Sequence, residues 1–182
     1  MALLKIARMG HPVLLRRADP VADPAAPEIR RLVADMIETM IDAKGVGLAA
    51  PQVHVPLRLF VFRIPPARAG AGGEDGELAA GALINPVLTP LGEETAAGWE
   101  GCLSIPGLRG VVPRHARVHY AGVDETGTPV SRTASGFHAV VVQHENDHLD
   151  GILYPMRMTD LSRFGFVEEL AEAAAAPPVA RA

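Results

Sequence analysis

Apolar residues recur at helical spacing over residues 27–44, where Ile29, Leu32, Val33, Met36, Ile37, Met40 and Ile41 fall on one side and Pro27 opens the segment. Positions three and four apart share a face, and proline's fixed φ suits a first helical position, so the pattern predicts an amphipathic helix. Gly45 stops it, and residues 45–52 predict a close-packed loop or turn. Residues 57–64 (LRLFVFRI) alternate or run apolar and read as a strand. Over residues 64–81 the pattern lapses into two prolines and five glycines among small and acidic residues. With little to bury against its ordering entropy, that stretch predicts a mobile surface loop.

Short apolar runs follow at 82–87, 111–112, 117–123 and 129–133, punctuated by Pro and Gly, with Asp124-Glu125-Thr126-Gly127 as a hairpin turn. They predict an antiparallel sheet. Over residues 136–149 the spacing returns to helical, and its flank Ala139-Val140-Val141-Val142 is apolar enough for the core. Residues 164–175 predict a short final helix and residues 176–182 a disordered tail. The expected fold is α+β, one domain over residues 1–175 with antiparallel sheets packed around a buried helix and no internal repeat.

That buried helix carries His144-Glu145-Asn146-Asp147-His148. Its two imidazoles lie one turn apart on one face, where neutral imidazole nitrogens converge on a metal ion. Glu145, rotated about 100° from His144, falls beside such an ion and can take a proton from water. The motif reads as metal-assisted hydrolysis, against the plainer reading of two histidines kept for packing.

Composition narrows the setting. With 182 residues, 48% of them hydrophobic, the chain can bury a core without disulfides, and its single cysteine suits a reducing compartment. A net charge of -4 argues against a nucleic-acid binder, which needs a basic face. Lys5 and Arg8 interrupt the opening apolar residues, so no signal peptide is expected, nor any membrane span; the expected location is cytoplasmic.

A metal held by two histidines needs a third ligand. No histidine follows His148; Glu168, Glu169 and Glu172 fit the solvated face of the last helix. His138 lies about 120° off the face of His144. His115 and His119 share a face if their segment is one strand, and neighbouring Arg114 and Arg117 mark that strand as exposed. Cys102 remains, between Gly101, which permits close backbone approach, and a rigid Ile105-Pro106. A lone cysteine is usually a small buried hydrophobe, but thiolate with two histidines is a recognised catalytic set.

Three separated segments, Gly45-Val46-Gly47-Leu48-Ala49-Ala50-Pro51-Gln52, Glu100-Gly101-Cys102-Leu103-Ser104 and Gln143-His144-Glu145-Asn146-Asp147-His148, resemble in order the motifs of peptide deformylases. The likeness spans roughly residues 4–160, including Gly10-His11-Pro12-Val13-Leu14-Leu15-Arg16, and is of the bacterial type without a transit peptide. It implies that Cys102, His144 and His148 hold one divalent metal, natively Fe2+, with Zn2+, Ni2+ or Co2+ able to substitute. It further implies Glu145 as base and then acid, with Gln52 and the Leu103 N–H donating to the formyl oxygen. The substrates implied are N-formylmethionyl peptides, as nascent chains at the ribosome, acted on by a monomer or homodimer without nucleic-acid or membrane contact.

Phe137 and Val140 are the candidates for a methionine pocket, with plain core packing as the competing reading. Gly45, Val46 and Gly47, together with Gly101, are candidates for pairing with the peptide backbone, since glycine allows close approach. Asp147 should face away from the metal and pair with Arg114. Asn146 stands where apolar residues are frequent in the family, and the acidic C-terminal segment lacks a basic stripe for ribosome docking. Two rivals remain: a zinc endopeptidase using Glu168 or Glu169, and a structural metal or peptide-binding module.

Overall fold

The computed structural model describes residues 2–70 and 76–175. Helix α1 (Pro27–Asp42) buries Ile29, Val33, Met36 and Met40, the predicted stripe. It stops two residues before the expected end because Lys44 turns to φ +56° and the Gly45 N–H returns to the Met40 carbonyl at 2.8 Å. The next segment corrects the loop reading: Gly47–Ala49 is strand β1, followed by a 3-10 turn over Ala50–Val53. Leu48 and Ala49 are fully buried, and β1 pairs antiparallel with β2 (Leu59–Ile64), Leu48 opposite Val61.

β2 reads as an apolar run because both its faces are covered. Leu59 and Val61 pack with α1, whereas Phe60, Phe62 and Ile64 pack with residues of the second helix. The predicted loop over 64–81 is too wide at both ends. A 3-10 turn occupies Pro66–Arg68, and β3 (Leu78–Pro90) begins with Leu78 paired to Ile64. Residues 71–75 of that loop and the tail at 176–182 lie outside the described residues.

β4 (Thr95–Cys102) escapes an apolar pattern because most of its side chains are exposed; β5 (Ile105–His115) and β7 (Pro129–Ser135) extend the predicted runs, and β6 (Arg117–Val123) matches its run at both ends. Residues 164–166 form β8 (Phe164–Phe166) against β5, so the last helix, α3, covers only Val167–Ala175. Two antiparallel sheets result, one in the order β1-β2-β3-β6-β7 and one β4-β5-β8, leaving β1 and β4 as edges. His115 and His119 do not share a strand: Ala116 separates β5 from β6.

Helix α2 (Gly136–Leu149) matches its predicted bounds and lies against β1, β2, β5 and β7. Gly136, at φ +52°, lets the chain pass directly from β7 into the helix. The mixed α+β class is that of the expectation. Among the described residues no helix is long and apolar enough to cross a membrane.

At the end of α2 the chain reverses through Gly151 at φ +73°, where an added Cβ would stand 2.7 Å from the Leu15 carbonyl oxygen. Both the backbone conformation and the clash oppose a side chain there. Gly151→Ala is therefore expected to lower stability by about 2–3 kcal/mol. A urea midpoint indistinguishable from the parent would contradict that.

Candidate metal centre

Three segments far apart in sequence meet beside α2. The helix supplies His144 and His148, one turn apart, their ring centroids 5.0 Å from each other and their planes at 75°. Cys102 arrives at the end of β4, where the register slips after Gly101 and the chain turns through Leu103-Ser104 into β5. Its Sγ lies 3.2 Å from His148 Nε2, and one ligand atom from each of Cys102, His144 and His148 falls within 4.8 Å of the others. That donor set is the one a tetrahedral centre with one open position uses.

The other ligand candidates are elsewhere. Glu168, Glu169 and Glu172 are exposed on α3. His138 is turned into the core, its Nε2 3.1 Å from the Tyr120 hydroxyl and its ring stacked on Phe62. His115 is half-buried, as is His119, which meets Ser131 Oγ at 3.0 Å.

Gln52 reaches the cluster from the 3-10 turn after β1. Its Oε1 accepts the Ala49 N–H at 2.8 Å, which fixes the amide so that Nε2 points to Ser104 Oγ (3.1 Å) and Cys102 Sγ (3.4 Å). An N-terminal strap completes the assembly: the Ala7 N–H donates to the Gln52 carbonyl at 2.7 Å and the Met9 N–H to the Ser104 carbonyl at 2.8 Å. The strap carries no sequence signal, because main-chain hydrogen bonds leave no side-chain pattern.

Glu145 is buried, and its Oε2 has no hydrogen-bond partner among the described residues. Gly47 explains how the carboxylate fits: a Cβ there would lie 2.2 Å from Glu145 Oε1. Burial pushes the Glu145 carboxyl up to about 7, with Glu100 adding to the rise and the charges on His144 and Arg114 opposing it. A carboxylate with an uncommitted oxygen and that affinity is suited to exchanging a proton.

Behind the histidines runs a buried polar line. His144 Nδ1 meets Glu100 Oε2 at 2.7 Å, which turns the opposite ring nitrogen towards Cys102 and His148. Arg114 forks onto Glu100 (Nε–Oε1 2.7 Å, Nη2–Oε2 3.1 Å) and donates from Nη1 to Asp147 Oδ2 at 2.6 Å. The expected Asp147–Arg114 pair is therefore present. The reading of Arg114 as the mark of an exposed strand is not: it is only 6% exposed, because two carboxylates compensate its charge. Glu100, two residues before Cys102, is the ligand-orienting group that the sequence reading passed over.

The two imidazoles are pushed in opposite directions. Burial opposes charge on His144, yet hydrogen bonds with Cys102 and Glu100 outweigh it and raise its pKa well above the ordinary value. Burial, with the charges of His144 and Arg114, drives His148 the other way, to a neutral imidazole. Burial also works to raise Glu100, but its bonds with His144 and Arg114 hold it below the ordinary value. A thiol, a neutral imidazole and a carboxylate-backed imidazole form a donor set that fits a divalent ion.

Of the substrate candidates, Gly47 backs onto Glu145 and Gly101 adjoins Cys102. Gly47 lies on the edge strand β1, with Gly45 and Val46 just before it; the Gly45 carbonyl accepts Arg63 Nε at 3.1 Å. Gly101 lies on the other edge strand, β4, where an added Cβ would meet nothing nearer than Arg109 Cγ at 3.5 Å. Packing within the chain therefore does not demand glycine at Gly101. Phe137 is half-buried against the α2 side of the core, with the Arg68 guanidinium 5.0 Å above its ring, and Val140 is half-buried one turn before His144. Asn146 points away to Asp150, Nδ2 to Oδ2 3.4 Å.

The sequence model of the family described as polypeptide deformylase covers residues 3–164. Peptide deformylase 1 of Bordetella pertussis is 51% identical over 171 residues, covering 91% of this chain and 93% of that protein. Peptide deformylase 1 of Nitrosomonas europaea is 49% identical over 165 residues, with 91% and 93% covered. Among solved structures, the class I type b peptide deformylase of Acinetobacter baumannii bound to Met-Ala-Ser superposes with a TM-score of 0.77 at 34% identity, covering 86% of this chain and 99% of the other. The Ehrlichia chaffeensis peptide deformylase in complex with actinonin gives 0.80 at 31% identity, with 96% of each chain covered. Sequence and fold agree, and the chain belongs to the peptide deformylase family, a family of enzymes.

Proposed function

We propose that this enzyme is a metal-dependent hydrolase that removes the formyl group from the N-terminal methionine of nascent polypeptides and releases formate. The observation that carries the reading is the Cys102, His144 and His148 cluster with the uncommitted Glu145 carboxylate beside it. When bound there, a divalent ion would supply Lewis acidity, lowering the pKa of a water from about 16 to about 7. Iron(II) is the proposed native ion and the cytoplasm the proposed location, with a monomer or homodimer acting on chains as they leave the ribosome.

Glu145 takes the proton of the attacking water as its oxygen bonds to the formyl carbon. The formyl oxygen gains the negative charge, and Gln52 Nε2, aimed by the Ala49 N–H, donates to it together with the Leu103 backbone N–H. Each such donor is worth about 3 kcal/mol in the transition state. Glu145 then returns the proton to the amine as the carbon–nitrogen bond breaks, leaving formate and a free methionine amine.

The methionine side chain enters between Phe137 and Val140. The peptide backbone lies along Gly45, Val46 and Gly47 on one side and Gly101 on the other. That the Acinetobacter relative was solved bound to Met-Ala-Ser supports a methionyl peptide as the ligand. The exposed positions of Glu168 and Glu169 on α3 disfavour the endopeptidase alternative.

Protein purified and loaded with iron without oxygen is expected to bind one ion per chain and release formate from formyl-Met-Ala. Cys102→Ser should lose or greatly weaken the ion and the activity together. Metal retained by Cys102→Ser would return the endopeptidase reading, and absence of formate from a fully loaded parent would overturn the proposal.

A further inference from the structure

Arg157 closes the 3-10 turn Tyr154–Arg157 beyond α2, and its side chain is 46% exposed. It grips the buried Asp147 with two bonds, Nε to Oδ2 at 3.2 Å and Nη2 to Oδ1 at 2.7 Å. Asp147 Oδ2 also accepts Arg114 Nη1 at 2.6 Å, Arg114 forks onto Glu100, and Glu100 Oε2 meets His144 Nδ1 at 2.7 Å. A continuous line of charged groups thus joins a surface arginine to an imidazole of the candidate centre. We propose that Arg157 is a positioning residue, holding the His144 ring in the orientation that an ion requires, through Asp147, Arg114 and Glu100. This rests on the reading of Cys102, His144 and His148 as metal ligands.

Charge and geometry support it. Glu100, Arg114 and Asp147 together carry two negative charges and one positive, all buried, and Arg157 adds a second positive charge at the Asp147 end of the line. Without it, Asp147 Oδ1 loses its partner and the carboxylate draws Arg114 towards itself. The fork on Glu100 then loosens, and with it the hydrogen bond that sets His144. Lysine cannot replace the two-point grip, because an ammonium is a point donor and a guanidinium a planar fork. The outer end of the line flanks a cavity of about 200 Å³ that Leu88, Pro90, Arg114 and Asp147 also line, so solvent has access to it.

A nearby arginine separates this role from simple anchoring of the helix. Arg58 ties the C-terminus of α2 by donating to the Leu149 carbonyl at 3.1 Å and to Asp150 Oδ1 at 2.7 Å, with no bond to the line that reaches His144. Arg58→Ala should therefore lower the melting temperature without altering the centre.

The test uses the full chain loaded with cobalt(II), comparing the parent with Arg157→Ala, Arg157→Lys and Arg58→Ala. Three properties are read: the visible spectrum of the bound ion, its rate of transfer to an excess of chelator, and kcat and KM separately. Arg157→Ala is expected to release cobalt about 10–100-fold faster than the parent, the range typical for loss of a group that orients a metal ligand. Its visible bands should shift, and kcat should fall with KM unchanged. Arg157→Lys should fall between the two, so the comparison survives if the alanine variant fails to fold. A release rate and spectrum identical to the parent's in Arg157→Lys and Arg157→Ala would overturn the inference, as would equal changes in Arg58→Ala. A parent that holds no cobalt would instead overturn the ligand reading beneath it.

Discussion

Glu145→Gln is expected to slow formate release by about 10²–10⁴-fold while the metal stays bound. Glutamine matches glutamate in shape, so the cradle opposite Gly47 and the placement of Cys102, His144 and His148 survive. What is lost is the ability to accept and return a proton. Metal content equal to the parent's, with formate release reduced, is the expected pair of results; parental turnover would remove Glu145 from the mechanism.

The same variant should be the more stable protein when stripped of metal. The Glu145 carboxyl is raised from 4.5 to about 7 in the native state, so the folded chain holds its proton more tightly than the unfolded chain does. Below pH 4.5 both states are protonated and the group contributes nothing. As pH climbs from 4.5 to 7, the unfolded state ionises first and native stability falls. Glutamine does not titrate and escapes that loss. Chelator-treated Glu145→Gln should therefore melt above the parent at neutral pH, and the gap should close towards pH 4.5.

Arg114→Ala should be the most damaging single change to the fold, costing about 3–5 kcal/mol, because it leaves the Glu100 and Asp147 carboxylates buried without their shared cation. Arg114→Lys should recover only part of the loss, since one ammonium cannot reproduce the fork onto Glu100. Urea unfolding of both variants checks this. Destabilisation below about 1 kcal/mol would place the pair in the class of surface ion pairs.

The residues that meet at the centre are legible in the chain because chemistry constrains their type and spacing. His144, Glu145 and His148 follow from helical periodicity, and α2 was readable to its ends since Gly136 and Asp150-Gly151 punctuate it. Cys102 emerges by elimination, as the donor left once the other histidines and acids are placed, and Gln52 only when three segments are read together, for no local pattern shows that they converge. β4 is hidden because an exposed edge strand needs few apolar residues. β1 is hidden because it is only three residues long and its Gly47, which makes room for Glu145, and Ala49, packed into the core, look like a turn. Arg114 misleads because the burial of a charge depends on partners from other elements, here Glu100 on β4 and Asp147 on α2. Arg157 lies outside every motif and acquires meaning only from its distance to Asp147.

Gln52 lies 50 residues before Cys102, and Cys102 lies 46 residues before His148. Closing both loops is among the slower demands on a folding chain, since the entropy is lost before the contacts form. A nascent or half-folded chain can present the two histidines of α2 but not the complete donor set. The free energy of ion binding therefore falls on the native side of the folding equilibrium, and the stability of the loaded protein should rise with free metal concentration. Metal capture becomes a report on whether the β4–β5 hairpin has docked against α2.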